Sequence, residues 1–107
     1  MVEYTFNLDL VFHSLADPTR RNILERLSKQ SMSVGQLAHD YDLTFAAVSK
    51  HVKVMERARL VIKQRRGKEQ IVSAAPSTVK DASEYLRRYE AMWSERFDAL
   101  DEYLKSN

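Results

Sequence analysis

The residues with the clearest chemistry in this sequence are the basic side chains between positions 44 and 70. Eight lysines and arginines and two glutamates fall in this stretch, so it carries a formal charge of +6 in a 107-residue chain whose net charge is +2. The flanking segments, 1–43 and 76–107, each carry −2. Lysine and arginine donate hydrogen bonds to phosphate oxygens and release the counterions that surround a polyanion. The charge distribution therefore predicts a polyanion-binding surface on one part of the molecule.

Two predicted helices and a tight break between them position the first part of this basic stretch. Ser33 is the expected N-cap of a short helix from Val34 to about Asp40, and Thr44 is the expected N-cap of a helix from Phe45 to Ala58. Two helices joined by a short turn form the unit that lays its second helix in the major groove of DNA.

The second of these helices has a predicted inner and outer face. Its apolar residues Val48, Val52 and Met55 recur at helical spacing and therefore face inward. The outward positions are Ser49, Lys50, Lys53 and Arg57, with His51 close to the same face. Ser49 and His51 are suited to hydrogen bonds with base edges or phosphates, and the alternative is a polar, solvated helix face. The +6 charge favours DNA contact.

A basic hairpin is predicted directly after the second helix. Ile62 to Arg65 and Gln70 to Ala74 have the composition of strands, and Gly67 supplies the turn between them. Three basic side chains surround this glycine and are expected to contact phosphates: Arg65, Arg66 and Lys68. The alternative is a charged, solvated hairpin tip, and Lys63 is a weaker candidate for the same contact.

The remaining segments predict a helical scaffold with one large apolar face. The first helix covers Leu8 to Leu15, and a second helix follows the Asp17-Pro18 cap as far as about Leu27. A last long helix, 77–105, carries apolar and aromatic residues at intervals of three or four. Burial of each large side chain is worth roughly 1.5–3 kcal/mol, so this stripe needs a cover. The first helix and a second subunit are the expected covers.

The composition of the chain limits its fold class, its metal sites and its location. The length suits one domain, and two glycines and two prolines in the whole chain favour a mainly α fold. No cysteine is present, which excludes disulfides and thiolate metal sites. The sequence has no signal-peptide pattern and no apolar run of membrane-spanning length, so we expect a cytoplasmic protein without a membrane partner.

Three blocks of sequence carry a resemblance to a known family. They are LADPTRRNIL (15–24), AAVSKHVKVM (46–55), and a Leu-Val step into a basic hairpin centred on glycine. Together they resemble the ArsR family of bacterial winged helix-turn-helix repressors across nearly the whole chain. The resemblance implies a single domain, 1–107, of about five helices with a two-stranded β-hairpin wing. Within it, 33–58 would be the helix-turn-helix, 61–74 the wing and 77–105 the dimerisation helix.

The resemblance also implies a function and a set of contacts. It implies a homodimer, formed through the first and last helices, that binds a near-palindromic double-stranded DNA operator at the bacterial nucleoid and represses transcription. The positions that it assigns to DNA are Thr44, Ala47, Ser49, Lys50, His51 and Lys53, with the wing arginines on the flanking backbone. The predicted dimer interface comprises Leu8, Val11, Phe12, Tyr89, Trp93, Phe97, Leu100 and Leu104.

Departures from the family pattern are informative about ligands. Metal-sensing members keep a Cys-x-Cys pair where this chain has Ser33 and Gly35, or use histidines on the last helix, and no histidine follows His51. The sequence therefore predicts no metal and no cofactor, and leaves a small-molecule effector open. Arg59 stands where relatives have a glycine that closes the recognition helix. Because a non-glycine residue at positive φ costs about 1 kcal/mol or more, we expect this helix end to be built differently.

Several side chains keep an alternative interpretation. The histidines have the wrong number and spacing for a metal site, so His13 is expected at the edge of the dimer helices and His39 on the exposed side of the third helix. One of Arg20 and Arg21 is expected to pair with an acidic residue and hold the second helix, and a phosphate contact is the less favoured alternative. Trp93 and Phe97 could frame a ligand pocket, although dimer core is the preferred interpretation.

A protein-interaction module and an enzyme are the two alternatives to a DNA-binding regulator. A helical protein-interaction module is the alternative function, with Phe45 as the one apolar anchor on the basic helix, although this residue is expected to pack at the helix start. The sequence carries no catalytic signature or phosphate-binding glycine loop, so no enzyme is predicted.

Overall fold

A computed structural model of the chain describes residues 7–106. Within this range the elements are α1 (Leu8–Leu15), α2 (Pro18–Leu27), β1 (Met32–Ser33), α3 (Val34–Asp40), α4 (Phe45–Arg57), β2 (Val61–Arg66), β3 (Glu69–Ala74) and α5 (Pro76–Lys105). The first three helices have the predicted bounds. Helix α4 ends one residue earlier than predicted, and α5 begins one residue earlier, at a proline in the first turn.

Side-chain caps explain why the first four helices begin where they do. Asn7, Asp17, Ser33 and Thr44 each have extended backbone and accept a hydrogen bond from a backbone N–H three residues later. These bonds are 3.0–3.1 Å long. Each satisfies one of the N–H groups that a helix start leaves without an intrahelical partner. The caps therefore fix the start of α4 and, with it, the register of the predicted DNA-binding residues.

The sheet has three strands in the order β1-β3-β2, and both pairings are antiparallel. The sequence predicted two strands, because the two-residue strand β1 is too short to show an alternating pattern. β1 pairs Met32 with Val72, and the hydroxyls of Ser31 and Ser73 lie 2.7 Å apart beside it. The hairpin of β2 and β3 is thereby attached to the segment that leads into α3.

A two-residue turn closes the wing. Arg66 pairs with Glu69, which leaves Gly67 and Lys68 as the central residues of the turn. Gly67 has φ +60°, a backbone conformation that glycine adopts without the steric cost of a Cβ. Glycine at the first central position is typical of the type II′ turns that match the twist of antiparallel strands.

The core lies between α1, α2, α3, the inner face of α4 and the sheet. Val48, Val52 and Met55 are fully or almost fully buried there, as the spacing of α4 predicted. Val11 of α1 is 0% exposed and belongs to the same cluster. Its assignment to the dimer interface is therefore wrong, because its side chain packs entirely inside its own protomer.

Helices α3 and α4 end in the same way. Asp42 and Arg59 have φ of 53° and 60°. The N–H of Arg59 donates to Glu56 O, and that of Leu60 donates to Met55 O, both at 3.0 Å. This pair of bonds is the Schellman motif, which normally has glycine at the positive-φ position. The expectation that the end of α4 differs from a glycine-type cap is therefore wrong: Arg59 adopts the glycine conformation.

Substitution of Arg59 measures the cost of this conformation. We expect Arg59→Gly to be more stable than Arg59→Ala by about 1 kcal/mol, because both variants lose the side chain but only alanine keeps the Cβ at positive φ. Urea denaturation of the two variants gives the difference directly. Equal stabilities, or a more stable alanine variant, would contradict the strained cap.

Candidate nucleic-acid interface and dimer face

The outward face of α4 carries the predicted DNA-binding residues at different depths. Lys50 and Lys53 are exposed, as is Arg57 one turn further on, whereas Ala47, Ser49 and His51 are half-buried along the sides of the helix. Thr44 is exposed, and its Oγ1 accepts the N–H of Ala47 at 3.0 Å. Its hydroxyl proton remains available as a donor. Five of the six candidates thus lie on α4 and the sixth is its N-cap residue, and all are exposed or half-buried.

His51 is held by a residue that the sequence did not connect with it. The Nη1 atom of Arg20, on α2, lies 3.3 Å from Nδ1 of His51. The same guanidinium donates from Nε to Ser14 O at 2.7 Å and from Nη2 to His13 O at 3.0 Å. No local pattern could reveal this contact, because the two residues are 31 positions apart.

Arg20 and Arg21 both hold the junction of α1 and α2, and within residues 7–106 their side chains donate to backbone oxygens there and to no acidic side chain. Arg21 donates from Nη1 to Leu15 O at 2.8 Å. Together with Arg20 it satisfies the carbonyls of Ser14 and Leu15 in the last turn of α1, whereas the carbonyl of His13 also accepts the N–H of Ala16. The expected pairing with an acidic side chain is therefore replaced by bonds to backbone oxygens.

The basic residues of the wing lie on β2, which packs against α4, and in the turn that follows it. Arg65, Arg66 and Lys68 are all exposed, and Arg65 Nε donates to Gly67 O at 3.1 Å across the turn. Lys63 Nζ lies 4.0 Å from Glu56 Oε1, which links β2 to α4. Lys63 therefore has an acidic neighbour within the domain.

Polar contacts fix α3 relative to α2. Arg26 Nη2 lies 2.6 Å from Asp40 Oδ2, and Gln36 donates to the other carboxylate oxygen at 2.9 Å. The guanidinium also lies over the ring of Tyr41, at 5.4 Å from its centroid. The hydrogen bond from Arg26 holds the pKa of Asp40 below its ordinary value. These contacts hold the first helix of the helix-turn-helix in place.

Asp17 is the second carboxyl group with a lowered pKa. The hydrogen bond from the backbone N–H of Arg20 is the main cause, and the positive charge of Arg20 adds to it. Asp17 therefore prefers its ionised form in the folded protein more than in the unfolded chain. Its cap bond also sets the start of α2, where Arg20 is anchored.

Acid titration should expose this contribution. A carboxyl group whose folded pKa lies below the ordinary 3.8 stabilises the fold above that pH, and the stabilisation is lost as pH falls through the folded pKa. We expect Asp17→Asn to resemble the parent near neutral pH, because asparagine also caps well, and to lose less stability below about pH 4. Urea denaturation from about pH 6 to pH 3 measures both curves. Parallel curves would show that Asp17 does not contribute.

The predicted dimer face on α5 is exposed along its length. Tyr89, Trp93, Phe97, Leu100 and Leu104 are between 45% and 64% exposed, and Phe12 of α1 is 44% exposed. Leu8 is half-buried and packs against the core. A groove of about 300 Å³, with Leu15, Leu24 and Leu86 among its walls, lies between α5 and the first two helices. Within one protomer α1 therefore leaves this apolar stripe exposed, contrary to the expectation that α1 helps to cover it.

The other candidates lie on α1, α3 and α4. His39 is exposed on α3, as expected, and His13 is exposed on α1. Between residues 7 and 106, no three histidine or acidic side chains are grouped as a metal ion requires. Phe45 is 54% exposed, so the expectation that it packs at the start of α4 is wrong. Over the same residues, no helix has the length and hydropathy to span a membrane.

Comparison with known proteins gives consistent matches. A family profile described as "Bacterial regulatory protein, arsR family" matches residues 17–63. The HTH-type transcriptional regulator Rv2034 of Mycobacterium tuberculosis is 41% identical over 69 residues, 64% of this chain and 64% of that protein, so the match spans just under two thirds of that relative. The transcriptional repressor SdpR of Bacillus subtilis is 25% identical over 79 residues, 74% of this chain and 88% of the repressor.

A solved structure extends the likeness beyond the matched segment. The ArsR-like transcriptional regulator from Rhodococcus sp. RHA1 superposes with a TM-score of 0.77 at 28% identity. The alignment covers 94% of this chain and 92% of that one. The likeness thus includes the wing and much of α5 as well as the helix-turn-helix.

Proposed function

Since this chain belongs to the ArsR family of bacterial regulatory proteins, which are transcriptional regulators, we propose that it acts as a homodimeric repressor on a near-palindromic DNA operator. The observation that carries this proposal is the placement of charge. Exposed basic side chains of α4 and of the wing lie on adjoining elements, while the rest of the chain is net acidic. A duplex that accepts α4 in its major groove brings its phosphates to both elements.

The contacts divide into two classes by chemistry. Lys50, Lys53 and the three wing residues are long, exposed cations, which suit phosphates and set position without reading sequence. Thr44, Ala47, Ser49 and His51 offer a methyl group or hydrogen-bonding atoms, which suit base edges. Affinity thus depends mainly on the first class and specificity on the second.

The apolar stripe of α5 supports the second half of the proposal. Side chains such as Trp93 and Phe97 are about half exposed in one protomer, which is more aromatic surface than a lone soluble domain normally leaves in water. Pairing of the stripe with that of a second copy, together with Phe12, buries it. Two α4 helices then face successive major grooves, roughly 34–36 Å apart, as a two-fold operator requires.

The domain limits and location follow from the same proposal. Residues 33–58 serve as the helix-turn-helix, 61–74 as the wing and 77–105 as the dimerisation helix of one domain. The dimer acts in the bacterial cytoplasm, at the nucleoid, and excludes polymerase from the promoter by occupying it.

DNA binding at two salt concentrations tests the proposal. We expect tight binding to the protein's own promoter in the presence of competitor DNA, and neutralisation of one phosphate contact by Arg66→Gln should reduce the log–log salt slope by about 0.9. Lys29→Gln is the matched control, since it removes the same charge from an exposed position outside the basic surface. Equal log–log salt slopes for the two variants would show that the wing does not contact the phosphates.

The alternative function, a protein-interaction module, has one observation in its favour. Phe45 is exposed at the start of α4 and could enter an apolar groove of a protein partner. The same binding experiment separates the two functions. A protein that prefers no duplex over an unrelated one would support the interaction module and contradict the repressor.

Truncation of the apolar stripe tests the dimer. We expect Trp93→Ala to weaken self-association by about 2 kcal/mol or more, roughly 30-fold in dimer Kd, because a large packed side chain is lost. Glu95→Ala is the control, since residues two apart on a helix do not share a face. Sedimentation equilibrium measures both variants. A Trp93→Ala protein that stays as dimeric as the parent would contradict this interface.

A further inference from the structure

Arg20 joins the end of α1 to the side of α4 through a single guanidinium group. Three of its nitrogens have acceptors: Nε contacts Ser14 O, Nη2 contacts His13 O, and Nη1 contacts Nδ1 of His51. The backbone of Arg20 is itself fixed, because its N–H donates to Asp17 Oδ2 at 3.0 Å. The backbone bond and the two bonds to α1 therefore fix the position of Nη1.

The chemistry of this contact determines where the proton of His51 lies. A guanidinium group only donates hydrogen bonds and keeps its charge at any ordinary pH. Nδ1 of His51 can therefore meet Arg20 only as an acceptor, with its lone pair free of a proton. A neutral imidazole in that state carries its proton on Nε2.

We propose that Arg20 is a positioning residue that holds His51 in the Nε2–H tautomer and so makes its free edge a hydrogen-bond donor to DNA. This inference rests on the proposed DNA-binding function and deepens it. The ring offers one donor and no acceptor at Nε2, and the half-buried position of His51 limits the directions in which that donor can point.

The fixed tautomer restricts what His51 can recognise. An Nε2–H group bonds to acceptors in the major groove, which are N7 and O6 of guanine, N7 of adenine and O4 of thymine, or to a phosphate oxygen. It cannot bond to the amino groups of cytosine or adenine, which are themselves donors. Without Arg20 both neutral tautomers become accessible, and the ring can accept as well as donate. Loss of Arg20 should therefore relax base selectivity at the position that His51 reads.

Arg21 provides a matched control for the structural role of Arg20. It is on the same helix and also satisfies a carbonyl at the end of α1, that of Leu15. Arg20→Met and Arg21→Met each remove a positive charge and side-chain bonding to α1, two bonds for Arg20 and one for Arg21, while methionine keeps much of the apolar stem. Only Arg20→Met removes the bond to His51.

Nitrogen NMR of the imidazole rings tests the tautomer without DNA. In the full-length protein, at a pH where the ring is neutral, we expect His51 to show a protonated Nε2 and an unprotonated Nδ1. Arg20→Met should shift His51 toward a mixture of tautomers, whereas Arg21→Met should leave it unchanged, with His39 as an internal reference. A parent protein with the proton on Nδ1, or an Arg20→Met protein with unchanged nitrogen shifts, would overturn the inference.

Operator selectivity tests the consequence. His51→Ala first identifies the base pair at which selectivity depends on this residue. At that pair we expect Arg20→Met to lower discrimination against the wrong base by about fivefold or more, the lower end of a typical single-mismatch effect. Arg20→Met should add nothing in the His51→Ala background. Unchanged selectivity in Arg20→Met, despite the expected tautomer in the parent, would overturn the readout role.

The two measurements fail separately. If the parent protein binds no duplex selectively, the proposed function is wrong, while the nitrogen shifts still decide the tautomer. If binding is selective but the nitrogen shifts contradict the Nε2–H tautomer, the proposed DNA-binding function is supported and the positioning role of Arg20 is wrong.

Discussion

The burial of one side of α4 is the constraint on which the rest of the molecule depends. Val48, Val52 and Met55 lie in the core, and rotation of the helix about its axis would bring them into water. Each exposed side chain would then cost roughly 1.5–3 kcal/mol, a large share of the stability of a small domain. The helix therefore has one rotational setting. That setting turns Lys50 and Lys53 outward, so the charged surface is a consequence of core packing.

Hydrogen bonds to the backbone at the ends of α1, α3 and α4 also hold these helices in position. The carbonyls at the end of α1 are satisfied by Arg20 and Arg21, whereas α3 and α4 close on themselves through residues at positive φ. The arginine bonds at the end of α1 also affect α4, because the side chain of Arg20 that reaches from α2 to α1 contacts His51 as well. A requirement of backbone chemistry thereby places a charged donor beside the ring of His51, which we propose to contact DNA.

Local signals explain which parts of the structure could be predicted from sequence. Caps such as Asp17 and Thr44, together with apolar spacing, act over three or four residues, and they located the helices to within one residue. The strand β1 was missed because its two residues gain their conformation from pairing with β3. Val11 was misassigned because spacing marks an apolar face without saying which partner covers it. The contact between Arg20 and His51 depends on tertiary packing, which no local pattern encodes.

The position of β2 in the sheet gives its charges another effect. It lies at one edge of the order β1-β3-β2, so one of its sides has no neighbouring strand among residues 7–106. A border strand of this kind invites pairing with strands from other molecules, which leads to aggregation. Lys63, Arg65 and Arg66 lie along it, and like charges on an approaching copy would repel them. Arg65 and Arg66, which are proposed to hold phosphates, therefore also oppose strand pairing between unbound copies of the protein.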